Sequence, residues 1–317
     1  MVELDMVRHS NQIDPQLHIW GWEIPVYLFL GGVTAGLMIL GAMMHLRARD
    51  GELSRWARWL PFAAPVLISV GMLALFMDLA RREHVYRFYF VFRPTSPMSW
   101  GAWILVAIYP ATILLGLLGL KDDEVAWLRA WRPIAALKLG ALLEWARELG
   151  QRLRSIVLWS NVVFGIGLGA YTGLLLGTLA ARPVWNSVVL GPLFLVSGLS
   201  TGAALMMMFP VNEHEHHVLR RWDVVAILAE VALLALYFLS LGTSAGSTGA
   251  LAFGFFFGGA FTAVFWALVV FAGLLVPLLL ELLEASRGLR PTMVTPALIL
   301  IGGLSLRWIF VLAGQAA

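Results

Sequence analysis

The first long apolar segment of the chain opens with an aromatic and acidic collar, Trp20-Gly21-Trp22-Glu23-Ile24-Pro25-Val26-Tyr27-Leu28-Phe29-Leu30-Gly31-Gly32. About 20 apolar residues in a helix are enough to cross the hydrocarbon core of a bilayer. Trp and Tyr are enriched where such a helix meets the membrane surface. The segment therefore predicts a membrane-spanning helix over 24–46, with ionisable side chains at one membrane surface.

The composition of the whole chain agrees with a membrane location. Of its 317 residues, 60% are hydrophobic and 13% are charged, whereas a soluble domain carries roughly 25% charged residues. We predict an all-α, polytopic integral membrane protein in which residues 1–317 form a single membrane domain. Its eight predicted spans are 24–46, 60–80, 101–120, 155–180, 186–209, 222–242, 254–280 and 293–314.

The basic residues predict the orientation of these spans. The chain has 20 Arg and 2 Lys, and the connections after spans one, three, five and seven hold 15 of them, against 6 in the N-terminal tail and the other connections. Positively charged loops stay in the cytoplasm, so both termini should be extracytoplasmic, in a bacterial or archaeal cytoplasmic membrane. The net charge of +3 therefore reflects the orientation of the chain in membrane lipid, and we expect no nucleic-acid partner.

Cysteine and histidine usage limits the cofactors. The chain has no Cys, which excludes disulfides and Cys-ligated iron–sulfur clusters within it. None of its 7 His lies in the middle of a predicted span, so the axial ligands of a di-haem cytochrome b are missing. The run 213–217, Glu-His-Glu-His-His, resembles a metal-binding tract, but it falls in a predicted short loop, and we expect no metal site.

Ionisable and phenolic side chains from separate spans collect near the predicted outer surface. They are Glu23, Tyr27, Asp78, Arg82, Tyr171, Arg182 and Arg307, with His18 just before the collar. Such residues are costly in a membrane and commonly mark functional sites. Each also has a structural explanation, such as an ion pair of Asp78 with Arg82, or snorkelling of an Arg to the headgroups. Their convergence favours a shared site.

Two further features carry functional hypotheses. Glu230 lies deeper, two turns into span six, with Tyr237 seven residues later on the same face. They could relay protons from the cytoplasm, or Glu230 could pair with a neighbouring polar group.

The connection 81–100 mixes Arg with aromatic residues and ends in a Pro-containing turn. We interpret it as a lid or a partner-docking surface, with Arg93, Ser96, Pro97 and Arg182 as docking residues.

A faint internal repeat relates the first and fifth spans. Residues 28–36 resemble residues 193–202, and both spans run in the same direction. The resemblance predicts a parallel duplication of four helices, with approximate halves 1–180 and 181–317.

Several of these stretches together resemble the polysulfide reductase membrane-subunit family, also called NrfD or PsrC. The matching stretches are the collar 20–32, 78–82, 94–103, 171–173, 182–186, 306–308 and 314–315. The resemblance implies an eight-helix anchor built as two four-helix bundles, without haem or cluster. A menaquinone or ubiquinone would bind at the outer end of the first bundle. A four-cluster ferredoxin-like iron–sulfur subunit, and usually a molybdopterin catalytic subunit, would dock on the outer face.

The resemblance also implies roles for individual residues. Tyr171 would donate a hydrogen bond to the quinone headgroup beside Tyr27, Asp78 would be the acidic position that ends span two, and Arg307 a buried cation. Where the family places an Asn and a His of span one against the quinone, this sequence has Ile24 and Tyr27. Glu23 and His18 are the candidates to replace those contacts.

The function expected from these patterns is a quinone- or quinol-binding anchor that exchanges electrons with an iron–sulfur partner. Proton translocation, with Glu230, Tyr237, Asp78 and Arg307 in proton transfer, is an open addition. The alternative is a secondary transporter for a small anion or ion, which would place its polar groups near the midplane. The terminal substrate and the direction of electron flow would be determined by partner subunits.

Overall fold

The long apolar runs of the sequence form helices in the computed structural model, which describes residues 20–47, 53–79, 81–179, 181–243, 247–288 and 291–316. Within these ranges there is no strand, and eight helices are long and apolar enough to cross a membrane. In chain order, α1 to α8 are Glu23–Arg47, Arg55–Asp78, Pro97–Gly119, Arg154–Gly177, Leu190–Met207, Glu213–Thr243, Thr262–Arg287 and Val294–Ala316. The prediction of an all-α protein with eight spans is confirmed.

Shorter helices complete the fold between these spans. They are Arg82–His84, Arg87–Phe90, Asp122–Ala130, Arg132–Ala136, Gly140–Arg152 and Ser247–Phe256. The helix α2 is itself composed of Arg55–Trp59, Leu60–Phe62 and Ala63–Asp78, and α7 of Thr262–Val264, Phe265–Leu275 and Val276–Arg287.

The start of α6 differs from the prediction. The run Glu213–His217 forms the first turns of the helix, rather than a short loop. The carboxylate of Glu215 explains this, because it accepts hydrogen bonds from the backbone N–H of Asn212 at 2.8 Å and of Ser54 at 2.7 Å. An acidic side chain at a helix N-terminus satisfies N–H groups that have no partner within the helix.

The predicted seventh span, 254–280, also starts at the wrong place. Its first residues belong to the separate helix Ser247–Phe256, and the membrane helix α7 begins only at Thr262. The break contains Gly258, whose φ of 110° is a conformation open to glycine and strained for other residues. Hydropathy alone does not detect this turn, because phenylalanines flank it on both sides.

Helices α1 and α5 cross at the centre of the molecule. Gly32 and Gly36 of α1 face Gly198 and Gly202 of α5, and a Cβ on Gly36 would lie only 2.8 Å from the Cα of Gly202. Small residues permit such close backbone contact in lipid. Around this crossing, α1 also packs on α2 and α4, and α5 on α4, α6 and α8. The grouping into bundles 1–180 and 181–317 stays a prediction.

Both ends of the described chain lie at one face. The backbone N–H of Trp20 donates to Oε1 of Gln315 at 2.9 Å, and Nε2 of Gln315 donates to the carbonyl of Trp20 at 3.0 Å. We call this the terminal face and the other the opposite face. That the terminal face is extracytoplasmic stays a prediction.

A buried ion pair fixes the connection between α3 and α4 on the opposite face. The Arg58 guanidinium donates to the Glu124 carboxylate at 2.8 and 3.0 Å, and Nε1 of Trp59 donates to it at 3.1 Å. Burial by itself would raise the pKa of Glu124, but these hydrogen bonds and one from the Lys121 backbone outweigh it and lower the pKa to about 2. The ionised carboxylate therefore holds helix Asp122–Ala130 against α2.

Glu124→Gln should destabilise the protein at neutral pH by about 3 kcal/mol, the free energy that corresponds to this pKa difference. Because the folded-state pKa lies below the ordinary value of 4.5, the stabilisation is present above pH 4.5 and is lost as pH falls towards 2. Thermal unfolding in detergent, followed by circular dichroism, should show the two proteins converging over that interval. The control is Glu144→Gln, whose pair with Arg129 is exposed. An equal loss of stability in this control would contradict the prediction.

Candidate functional site

Three phenols meet near the terminal face. Tyr27 of α1 and Tyr171 of α4 are both buried, and the Tyr27 hydroxyl is close enough to those of Tyr171 and Tyr89 to interact electrostatically. Tyr89 comes from the connection between α2 and α3, outside the spans, and burial raises its pKa. A phenol hydroxyl can donate a hydrogen bond, so the three side chains provide candidate donors near the terminal face. The sequence places Tyr27 and Tyr171 at one depth but does not identify Tyr89.

Glycines of neighbouring helices make room for these rings. The ring of Tyr171 lies against Gly101 of α3, where an added Cβ would be only 2.6 Å from its Cε1 atom. The ring of Tyr27 packs against Gly71 of α2, with 3.5 Å between Cδ2 and the position of a Cβ. Gly101 directly follows the connection 81–100 that the sequence singles out, and the close approach of Tyr171 leaves no room for a side chain there.

Tyr171 also lines a groove between α3 and α4. The cavity has a volume of about 580 Å³ and is lined mostly by apolar side chains, among them Trp100, Ile104 and Ile166. Trp100 and Ile166 are about half exposed. Exposed apolar side chains on a membrane helix face lipid, so the groove is open to a molecule that is dissolved in the bilayer.

Two carboxylates lie at the same end of the neighbouring helices. Glu23 begins α1 and Asp78 ends α2, both half-buried and near enough to repel each other. The helix-end ion pair of Asp78 with Arg82, one alternative from the sequence, is wrong: the exposed Arg82 donates instead to the Met77 carbonyl at 2.5 Å. His18, the other predicted contact of this region, lies outside the described residues.

Arg307 is fully buried between α1, α5 and α8. Its guanidinium donates to the carbonyls of Leu28 and Phe194 at 3.2 Å and to the Ser197 hydroxyl at 3.1 Å. Glu230 of α6 lies near the same Ser197 and interacts electrostatically with Arg307. The structure therefore brings Glu230, which the sequence sets apart, close to Arg307, and a role of Arg307 in the pocket stays a prediction. Depth along a helix can be read from sequence, but the direction of a side chain around the helix depends on packing.

Tyr237 is part of the packed core. Its hydroxyl donates to the Val184 carbonyl at 2.7 Å, and its ring contacts Phe238 and Phe310. It lies seven residues closer to the terminal face than Glu230, on the same helix. Its hydroxyl joins α6 to the connection between α4 and α5, a contact that fixes the ring in place.

Two of the predicted docking residues line a basic depression of about 610 Å³ on the terminal face. Arg93 and Ser96 line it, together with Arg81, His84 and Arg87. Two hydrogen bonds hold its turn: the Arg93 N–H donates to Ser99 at 2.9 Å, and Nε1 of Trp100 donates to the Pro94 carbonyl at 2.7 Å. Pro97 is exposed at the start of α3.

Arg182 has a different environment. It is half-buried, and its guanidinium donates to the Gln315 carbonyl at 3.2 Å. It therefore binds the C-terminal helix of the same molecule, and of the predicted docking residues it is the one engaged inside the fold.

The sequence does not identify three buried carboxyl groups in the half of the molecule towards the opposite face: Asp223, Glu281 and Glu284. The available signal is the spacing of Asp223 and Glu230, seven residues apart on one helix face. Glu281 falls one residue after the predicted seventh span, where a carboxylate is expected to be solvated.

The sequence is similar over nearly its whole length to proteins of one known family. Residues 7–317 match the family model described as polysulphide reductase, NrfD. The chain belongs to the NrfD family. Protein NrfD of Escherichia coli (strain K12) is 32% identical over 94% of this chain and 95% of its own. A polysulfide reductase chain of Wolinella succinogenes is 31% identical over 94% of both proteins. A selenate reductase subunit of Mesobacillus selenatarsenatis is 27% identical over 59% of this chain and 47% of its own.

The chain belongs to a family of membrane subunits, and it has eight helices that are long and apolar enough to cross a membrane. This NrfD-family member is a multi-pass membrane protein. The phenols, the lipid-facing groove and the basic depression all lie towards its terminal face, whereas Glu230 and Arg307 lie deeper.

Proposed function

We propose that the protein is the membrane anchor of a respiratory oxidoreductase, where it binds a quinone or quinol and exchanges electrons with an iron–sulfur partner. Two of its relatives are by name one component of a polysulfide reductase and one of a selenate reductase, which supports a role as a subunit of a reductase. The observation that carries the proposal is the lipid-facing groove with the Tyr171 phenol in its lining. The terminal face is then extracytoplasmic.

The chemistry of a quinone suits this groove. Small-molecule pockets usually enclose about 300–1,000 Å³, and the groove of about 580 Å³ falls in that range. The carbonyl oxygens of a quinone accept hydrogen bonds, for which Tyr171, Tyr27 and Tyr89 are candidate donors. Apolar side chains such as Ile104 and Ile166 would contact an isoprenoid tail. Either menaquinone or ubiquinone has this chemistry.

Oxidation of a quinol releases two protons and two electrons. A carboxylate near the hydroxyl groups can accept a proton as a general base, and Asp78 and Glu23 are the nearest candidates at the terminal face. The sequence has no Cys thiolate that could ligate a cluster, so the electrons would pass to a separate four-cluster ferredoxin-like subunit. The basic depression with Arg93 is the docking surface for it, and a molybdopterin subunit would bind farther out.

Transport of a small anion has less support. It would require a cation with free hydrogen-bond donors beside a passage near the midplane. The deep cation is Arg307, and its guanidinium donates to Leu28, Phe194, Ser197 and Gly303. A cation that is already bound to four protein groups is a poor anion ligand.

Tyr171→Phe should slow quinol oxidation about tenfold to a hundredfold, because it removes a hydrogen bond of about 1–3 kcal/mol to the headgroup. The measurement is quinol-dependent reduction of a soluble acceptor by the assembled complex in membranes. The matched control is Tyr109→Phe, since the Tyr109 hydroxyl is already bonded to Ser69 at 2.9 Å. Equal rates for wild type and Tyr171→Phe would mean that the groove is not the quinone site.

A further inference from the structure

Two buried carboxyl groups meet between α6 and α7. Asp223 and Glu281 are 0% and 2% exposed, and their carboxyl groups are within hydrogen-bonding distance of each other. The Ser200 hydroxyl donates to Oδ1 of Asp223 at 2.6 Å. In the described part of the chain, Oδ2 of Asp223 and both carboxyl oxygens of Glu281 have no N–H or O–H donor.

This geometry requires a proton between the two groups. Two ionised carboxylates in contact repel each other, and burial penalises each charge further. A nearby cation would relieve this, but no ion pair to either group is formed among the described residues. Arg220 acts on Glu281 only from a distance, and Glu284 adds another negative charge. One proton shared by Asp223 and Glu281 provides the missing donor.

Ionisable side chains continue from this pair to the opposite face. Glu284 lies three residues after Glu281 and accepts hydrogen bonds from the N–H and hydroxyl of Thr292 at 3.2 and 3.3 Å. His216, half-buried on α6, interacts with Glu284 and Arg220. The pair is therefore linked to the aqueous phase of the opposite face by groups that can bind and release protons.

Polar groups also continue towards the centre of the membrane. Ser200 and Ser197 are three residues apart on α5 and share a helix face. Ser200 contacts Asp223, and Ser197 contacts Glu230 and Arg307. Along α6, Asp223 and Glu230 are about 10 Å apart, and they interact electrostatically. Polar groups therefore occur at successive turns from the pair to Arg307.

We propose that Asp223 and Glu281 form a proton-binding site that loads from the opposite face and exchanges its proton with Glu230 beside Arg307. In the transfer, the protonated carboxyl of the pair becomes a carboxylate and the Glu230 carboxylate becomes the acid. A proton taken up from the opposite face then restores the shared proton, so charge and atoms balance. The role of the site as a proton path rests on the quinone-linked function proposed above. The binding of a proton by Asp223 and Glu281 does not depend on that function.

Infrared spectroscopy of the full-length protein in a detergent without ester groups tests the site directly, because a protonated carboxyl has a C=O stretching band that a carboxylate lacks. We expect this band at neutral pH in the wild type and its loss in both Asp223→Asn and Glu281→Gln. In either variant, an amide N–H replaces the shared proton without a change of shape. The matched control is Glu213→Gln, an exposed carboxylate at the start of α6, which should keep the band.

Three results would overturn the proposal. The band could be missing from the wild type, or persist in both variants, or disappear on addition of Na⁺ at constant pH. The last result would identify a site for a metal cation. A second measurement is the charge displaced per electron transferred during quinol turnover in proteoliposomes. This displacement should be absent in both variants. The infrared band needs no turnover, so a failure of the quinone proposal would appear in the Tyr171→Phe experiment alone.

Discussion

Arg307→Met should strongly reduce the amount of folded protein. Arg307 is fully buried in the middle of α8 and donates to groups of α1, α5 and its own helix. Its removal leaves Glu230 as a buried charge without a counter-ion. Removing a buried charged group from its partners costs about 3–5 kcal/mol, a large fraction of the stability of a typical domain. The yield of monodisperse protein from solubilised membranes and its thermal unfolding measure the effect.

A second substitution in the same protein distinguishes the loss of the Arg307 charge from the loss of its packing. Arg307→Met combined with Glu230→Gln should recover much of the lost stability, since the uncompensated carboxylate is gone. Arg287→Met, at the exposed end of α7, is the matched control and should change stability little. If the double variant were no more stable than Arg307→Met, the interaction with Glu230 would not be the source of the effect.

Gly36→Leu should prevent α1 and α5 from packing. A Cβ at this position would already lie 2.8 Å from the Cα of Gly202, and leucine adds three further carbons. Overpacking a tight contact costs about 1–3 kcal/mol and sometimes more, and here the obstacle is backbone, which cannot rotate away. Because α1 and α5 also contact α2, α4, α6 and α8, we expect loss of the folded protein. Protease resistance and thermal unfolding of the purified protein would report it.

The control for this change is Gly254→Leu. A Cβ on Gly254 meets nothing within 4 Å, and the residue lies in the helix Ser247–Phe256. It should therefore fold and unfold as the wild type does. A Gly36→Leu protein with wild-type protease resistance would show that the crossing is looser than its geometry indicates.

The position of the spans could be predicted because hydropathy reports directly on lipid burial. The predicted span 24–46 and the observed Glu23–Arg47 differ by one residue at each end. The predicted helix ends are wrong where an interaction other than lipid burial determines where a helix begins. Glu215 caps backbone N–H groups and extends α6 into a polar run, and Gly258 breaks an apolar run with a turn that hydropathy does not register.

The candidate site was predictable only in part, for a similar reason. Tyr27 and Tyr171 were placed near each other because depth along a helix follows from residue number. The sequence does not predict the electrostatic interaction of Arg307 with Glu230, because this interaction depends on how α8 is rotated against α5 and α6. Asp223 and Glu281 lie next to predicted span ends, where carboxylates are normally solvated, and only the packing of α6 against α7 buries them.

The contact of Arg307 with the Leu28 carbonyl has a mechanical consequence. Leu28 directly follows Tyr27, so one peptide unit joins the residue whose phenol lies near Tyr171 to the oxygen that accepts from the buried guanidinium. Any axial twist of α1 would displace both at once. The backbone of α1 therefore connects the Tyr27 phenol directly with the buried Arg307 guanidinium, and a rotation of this one helix is enough to move both.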